Sequence, residues 1–418
     1  MKISLPITLS LYNSRLDIGH ARQGSLQHPL RPRAGTIPLT PQDGHFSPVI
    51  GGWSNFMHTT SISLGTPPQN FSALLDLASS VLLVPSVKHS EKPGCTLNSR
   101  HQYNSTSSST FRPNGTAVTS HFIQEDVSGY LSYDDLHISS LALSEALFQE
   151  APTWQPFPDC GLCDRPVDTL FPLGPYNASA PQNFMSPIAQ LIKAEILDSN
   201  IFSLRLSQNP DDGEGQLVLG GIVDEEFYTG DFRTIPMTSH PVPNSPNLNI
   251  FAEGDKWKTT ISTLNVGLDN IKHAFLTPTV AIVDVGFPFI GLPVSLTEDI
   301  NALLGTENWG PFAWADCEKR DTFPNVTIIL HDEEFILTPY DYLLEQRFKE
   351  DGDRLFCQSA FWTMFEDEDR DGGREGGVVV LGSAFVKAWV SVFDLETGDM
   401  SFARAKHGPP RHDPGHRV

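Results

Sequence analysis

The chain has 418 residues, 39% of them hydrophobic, and a formal charge of −22. Such a length holds two domains with sizeable cores, and no apolar run in it is long enough to span a bilayer. The negative charge excludes nucleic-acid backbone binding, which needs phosphates neutralised, while a carboxylate surplus also suits a protein that works in acid. With 33 Pro and 32 Gly set among short β-branched and aromatic runs, the sequence predicts many short strands joined by turns.

The first 50 residues carry Lys2, Arg15, Arg22, Arg31 and Arg33 against Asp17 and Asp43, net +3 on an acidic body. We set this basic leader at residues 1–54. Lys2 and the run from Ile3 to Tyr12 make a poor signal peptide, because Pro6, Thr8 and Ser10 interrupt it and no small-x-small site follows. Sequons at Asn70, Asn104, Asn114, Asn177 and Asn325 point towards the secretory pathway or the outside. The two signals disagree, and the cytoplasm stays open.

Further along, Ile188, Leu191, Ile192 and Ile196 fall at helical spacing and predict a helix over residues 186–197. Residues 201–206 and 326–330 read as strands. The acidic stretch 366–371, followed by Gly372 and Gly373, reads as a solvated loop and not a metal site. Cys160 and Cys163 have metal-ligand spacing but no second pair, so a local disulfide or two free thiols is expected there. Residues 408–418 read as a flexible tail.

The most informative feature is an internal repeat. Residues 74–85 and 282–293 each lead an apolar pair into an aspartate, Asp76 and Asp284, then place a small residue two positions later and a proline, Pro85 or Pro293, nine positions later. An aspartate in so apolar a run is costly to bury unless it is paired or used. One such aspartate per half of the chain predicts two lobes that each donate a carboxylate to a shared acid/base site.

The chain resembles the pepsin-like aspartic proteases from about Met57 to Lys406. The resemblance rests on these repeats, on Gly65-Thr66-Pro67-Pro68-Gln69, on Ser128-Gly129-Tyr130, on residues 215–221 followed by Tyr228-Thr229-Gly230, and on Val380-Leu381-Gly382-Ser383 with residues 392–405. It implies a mostly β, bilobal fold with a central cleft. The N-terminal lobe, with its flap, would span residues 55–240 and the C-terminal lobe residues 241–407. By the same resemblance the leader is propeptide-like, Cys317 pairs with Cys357, and Cys95 lacks its usual neighbour. Asp76 and Asp284 would form the catalytic dyad, sharing one proton because two close carboxylates cannot both ionise cheaply. No metal and no cofactor is implied, and a monomer holding a peptide or small molecule in the cleft is expected.

The surroundings of the dyad depart from the family. Its Asp-Thr-Gly motifs read Asp76-Leu77-Ala78 and Asp284-Val285-Gly286 here. Leu77 and Val285 therefore lack the hydroxyls that cross-link the lobes, and an apolar contact is expected instead. Ser79 keeps a hydroxyl that can bond Asp76. Phe287 and Pro288 replace polar neighbours of Asp284, which predicts a raised pKa by desolvation. The flap tyrosine position falls on Phe122 and its tryptophan partner on Leu83, while Pro172 replaces a glycine behind the first catalytic loop. From these apolar gains the sequence favours a repurposed dyad doing isomerisation, dehydration or cyclisation on a compact apolar small molecule. An active acid endopeptidase and a non-catalytic, peptide-binding pseudoprotease are the alternatives.

Overall fold

Period-2 burial builds most of this chain. In residues Val326–Leu330, Val326, Ile328 and Leu330 are buried while Thr327 and Ile329 are half-buried, the pattern of a strand with one face on a core. The computed structural model describes residues 35–47, 50–88, 100–122, 125–155, 167–175, 185–208, 214–242, 256–267, 270–309, 312–348, 354–365 and 377–407. Cys95, Cys160, Cys163, Asn177, the acidic stretch 366–371, residues 1–34 and the tail lie outside them. The described residues fall in one unit, residues 32–418.

The first half of the chain holds β1 (Gly35–Ser47), β2 (Ile50–Leu64), β3 (Gln69–Asp76), β4 (Leu83–Pro85), β5 (Arg112–Phe122), β6 (Glu125–Ile138), β7 (Leu141–Gln155), β8 (Thr169–Pro172), β9 (Ile201–Arg205) and β10 (Gly215–Leu219), so that residues 35–47 and 50–54, set in the leader from the sequence, are strands paired with the body. Its sheet pairs β3 with β2, β2 and β7 with β6, and β5 with β6. The helix α1 is shorter than its periodicity predicts, spanning Pro187–Lys193 with the Ser186 hydroxyl as N-cap. Ile188 and Leu191 are buried as expected, and the chain leaves the helix before Glu195 takes a positive φ of 55°.

After β11 (Tyr228–Ile235) come β12 (Lys258–Val266), β13 (Asn270–Val283), β14 (Ile290–Pro293), β15 (Glu307–Trp309), β16 (Phe312–Ala315), β17 (Val326–Leu330), β18 (Glu333–Leu337), β19 (Leu343–Phe348), β20 (Arg354–Ser359), β21 (Phe361–Phe365), β22 (Val378–Leu381), β23 (Trp389–Asp394) and β24 (Met400–Ala405). A seven-stranded sheet runs β18-β17-β12-β13-β22-β14-β21. Cys317 is bonded to Cys357 on β20. A separate antiparallel layer joins the halves, in the order β1-β10-β9-β23-β24-β11. Ile37 and Leu39 of β1 are buried in it. The result is the mostly β, bilobal architecture that the sequence implies. Among the described residues no helix is long and apolar enough to cross a membrane.

The repeat in sequence is a repeat in space. Asp76 ends β3, which pairs in parallel with β8, and Asp284 follows β13, which pairs in parallel with β22. In each lobe a glycine just past the crossing strand passes against the aspartate's loop. A Cβ on Gly174 would stand 2.5 Å from the Ser79 carbonyl oxygen, and one on Gly382 would fall on the carbonyl oxygens of Phe287 and Phe289. By register Pro172 stands level with Asp76 as Gly382 stands level with Asp284, and Gly174, two residues on, makes the close pass in the first lobe. Gly382→Ala is expected to cost roughly 1–3 kcal/mol or more, because backbone must shift to admit the methyl. Gly377→Ala, where the nearest atoms are 3.6 Å away, should stay within about 0.5 kcal/mol. Denaturant unfolding of the two variants checks the contrast.

Candidate active site

Both aspartates are buried, Asp76 at 2% and Asp284 at 7% exposure, so their charge must be met by donors in the fold. The turn after each strand aims its own N–H groups back at the carboxylate. Ala78 and Ser79 donate to Asp76 Oδ1 at 2.6 and 3.1 Å, and Gly286 donates to Asp284 Oδ1 at 2.9 Å. The Leu77 N–H donates to the Asp284 carboxylate from the other lobe. The loops stand close, since a Cβ on Gly286 would lie 3.7 Å from the Leu75 carbonyl oxygen.

Burial first, and the Asp76 charge second, push the Asp284 carboxyl up to about 7. The donations from Gly286 and Leu77 and the Lys256 ammonium pull the other way. The shift is upward, as expected, and burial of the carboxyl is its first cause. Phe287 itself is half-buried, meets Phe289 edge-on at 6.0 Å, and packs on Val280, Ile282 and Val380.

The aliphatic substitutions sit where the sequence places them. Leu77 and Val285 are both buried in one continuous core cluster with Leu75 and Val283. Leu83 is buried beside Met57 and Leu74, and its carbonyl accepts the Thr169 hydroxyl. Ser79 differs from expectation. Its backbone N–H bonds Asp76, while its Oγ is buried with no hydrogen-bond partner among the described residues. The turn already brings the N–H to Oδ1, so the hydroxyl is not needed there. Phe122 ends β5, its backbone paired with Glu125 across the hairpin. Its side chain and the tip, residues 123 and 124, lie outside the described atoms.

The sequence reading missed Lys256 and Trp257. Lys256 is 7% exposed and its ammonium donates to the Ala78 carbonyl, on the loop that carries Asp76. The Trp257 indole N–H donates to the Leu173 carbonyl at 2.8 Å, and Leu173 N–H donates to the Asp76 carbonyl at 2.7 Å. The Trp257 carbonyl in turn accepts from Val283 N–H, next to Asp284, at 2.8 Å. This short segment ties both aspartate loops together beside the aliphatic Leu77 and Val285. The one sequence signal was a lysine against a tryptophan at the start of a strand, which says nothing about a contact so far back in the chain.

A carboxyl whose folded pKa lies above its unfolded value holds more protons when folded, so its contribution to stability falls as pH rises from about 4 to about 7. Asp284→Asn should abolish that fall and gain stability over the parent at pH 7, on the order of a few kcal/mol. Urea unfolding of both proteins at pH 4 and pH 7 measures it, and parallel pH dependences would contradict a buried, neutral Asp284.

Comparison with known proteins agrees with this geometry. The family described as eukaryotic aspartyl protease matches residues 57–405. Vacuolar protease A of Arthroderma otae is 30% identical over 369 residues, covering 88% of this chain and 83% of its own. Vacuolar protease A of Neurospora crassa is 29% identical, with 87% and 82% covered. Human cathepsin D is 27% identical, with 87% and 84% covered. The chain belongs to the eukaryotic aspartyl protease family.

Proposed function

We propose that this protein hydrolyses peptide bonds with Asp76 and Asp284 as its acid/base pair. The observation that carries the reading is the pairing itself: two buried carboxylates on facing loops, each met by backbone donors, with Asp284 driven towards its neutral form. Names of the relatives, vacuolar protease A and cathepsin D, support peptide over small-molecule chemistry.

The shared proton rests on Asp284. Ionised Asp76 takes a proton from water as the water oxygen bonds to the carbonyl carbon, and Asp284 gives its proton to the carbonyl oxygen. The tetrahedral diol then collapses. Its C–N bond breaks, the nitrogen leaves with the proton held by Asp76, and a diol hydroxyl returns its proton to Asp284. No covalent enzyme intermediate forms and the dyad is regenerated. Because burial and the Asp76 charge hold the Asp284 carboxyl protonated well above the usual carboxylate range, activity should extend from acid towards neutral pH.

A second reading keeps the dyad but changes the substrate. Phe287 and Phe289, with Leu77 and Val285 beneath the loops, make a drier site than a polar grip would, which suits proton transfer on a compact apolar molecule. Turnover of a diverse fluorogenic peptide library from pH 3 to 8 separates the two. Peptide cleavage should be found and should fall by at least 100-fold in Asp76→Asn and in Asp284→Asn. Folded protein that cleaves no peptide would favour the small-molecule reading. Lys256→Met removes a cation that lowers the Asp284 pKa, so the alkaline limb of the pH–rate profile should move to higher pH. An unmoved limb would show that the lysine does not act on the dyad.

A further inference from the structure

A histidine is buried away from the dyad, at the point where β1 changes partners. Leu39 is the last residue of β1 to pair with β10, opposite Gly215, and Thr40 is the first to pair with β2, opposite Thr59. His58, next to Thr59, is 3% exposed. Its ring lies against Gly215, where a Cβ would stand 3.4 Å from His58 Cδ2 and 3.2 Å from Leu39 Cβ. Just past β9, the Ser207 N–H donates to His58 Nε2 at 3.2 Å, and the Ser207 hydroxyl stands 3.2 Å from the same nitrogen. Ser207 is fully buried. A nitrogen that accepts a backbone N–H carries no proton of its own, so the ring is neutral here and its one N–H is on Nδ1.

This bond belongs to a chain of polar contacts that runs into the second half of the molecule. Gln208, the next residue, donates through Nε2 to the Tyr340 carbonyl at 2.8 Å and to Asp341 Oδ1 at 3.2 Å. Asp341 is buried in turn, and Arg404 Nη2 on β24 donates to its two oxygens at 2.9 and 2.8 Å. One end of the chain is therefore β2, which pairs with the strand that ends at Asp76. The other end is fixed on β24 by a charge-assisted bond. The charged groups that act on the imidazole are Lys387, just past the short helix Ser383–Val386, and Arg205 on β9, both cations. Burial first and the Lys387 charge second, with Arg205 adding to them, outweigh the Ser207 backbone, which favours the charged ring. They hold the His58 pKa well below the ordinary histidine value.

We propose that His58 is an acid-sensitive latch: the neutral ring accepts the Ser207 N–H and ties β2 to the end of β9, and the charged ring releases it, so that the layer joining the two halves loosens in acid. Once Nε2 carries a proton it cannot accept. The Ser207 hydroxyl can turn to receive that new N–H, but the Ser207 backbone N–H is left buried without an acceptor, which costs stability. The folded ring also binds its proton less readily than the unfolded ring. Its contribution to stability is therefore complete above the unfolded value of about 6.5 and is lost as pH falls below it. Asp284 acts in the opposite sense, its contribution falling as pH rises, so the two groups set the pH of greatest stability from opposite sides. The latch does not depend on which substrate the dyad turns over.

Two measurements test it. Urea midpoints of the parent and of His58→Gln are compared at pH 7 and pH 4.5, since a glutamine amide oxygen can accept the Ser207 N–H and does not titrate. Between the two pH values the parent should lose more than the variant, by roughly 0.5 M urea or more. Asp284 is common to both proteins and drops out of that difference. Equal losses overturn the latch. Hydrogen–deuterium exchange of the parent, corrected for the intrinsic effect of pH, needs no variant to fold. At pH 4.5 the segment 202–208 should lose roughly tenfold more protection than residues 326–330, a strand of the other sheet. Equal loss in the two segments overturns the latch whether or not His58→Gln folds.

Discussion

Two carboxylates buried against each other are the constraint around which this fold is organised. Like charges in a low-dielectric site cannot both persist, and each carboxylate oxygen needs donors that water no longer supplies. The chain meets this with groups from both lobes. Ala78, Ser79 and Gly286 serve their own aspartates, while Leu77 N–H and the Lys256 ammonium reach across. The site therefore exists only while the lobes keep their register, and the layer from β1 to β11 beneath them holds it. The parallel crossings at β8 and β22, with Gly174 and Gly382 packed onto the loops, fix each turn at the height its aspartate needs.

The aliphatic motif positions change what kind of joint this is. A hydroxyl grip is directional and wet at its edges; Leu77 and Val285 give a joint that is apolar and undirected. Direction returns from elsewhere, through the Lys256 ammonium on the Ala78 carbonyl and the Trp257 indole on the Leu173 carbonyl. A hydrogen bond to a charged donor is the stronger kind, and burial keeps it from being screened by salt. The apolar joint is thus given its direction by a cation whose field also reaches Asp284.

What was legible in the sequence is what local chemistry encodes. The paired aspartates stood out because a charge in an apolar run is expensive, and the strand at residues 326–330 because its side chains alternate. The helix over residues 186–197 was found but drawn too long, since its apolar spacing runs on past the point where Ala194 and Glu195 turn the backbone away. Ser79 was given the right partner through the wrong atom, because the sequence names a hydroxyl and only the turn shows that the N–H arrives first. Lys256 on Ala78, and His58 beside Ser207, were not legible at all. Both join segments that the chain order keeps far apart, and neither side of either contact has a composition that announces the other.

Trp257 gives the joint an optical property. Its indole is fully buried, packed between Phe202 at 6.0 Å and Phe393 at 5.0 Å, with its N–H held by the Leu173 carbonyl. An indole fixed in so apolar a cage emits at short wavelength, and water reaching it shifts the emission to the red. The residue that ties the two aspartate loops together is therefore also a buried fluorophore, and water reaching this joint would show in its colour.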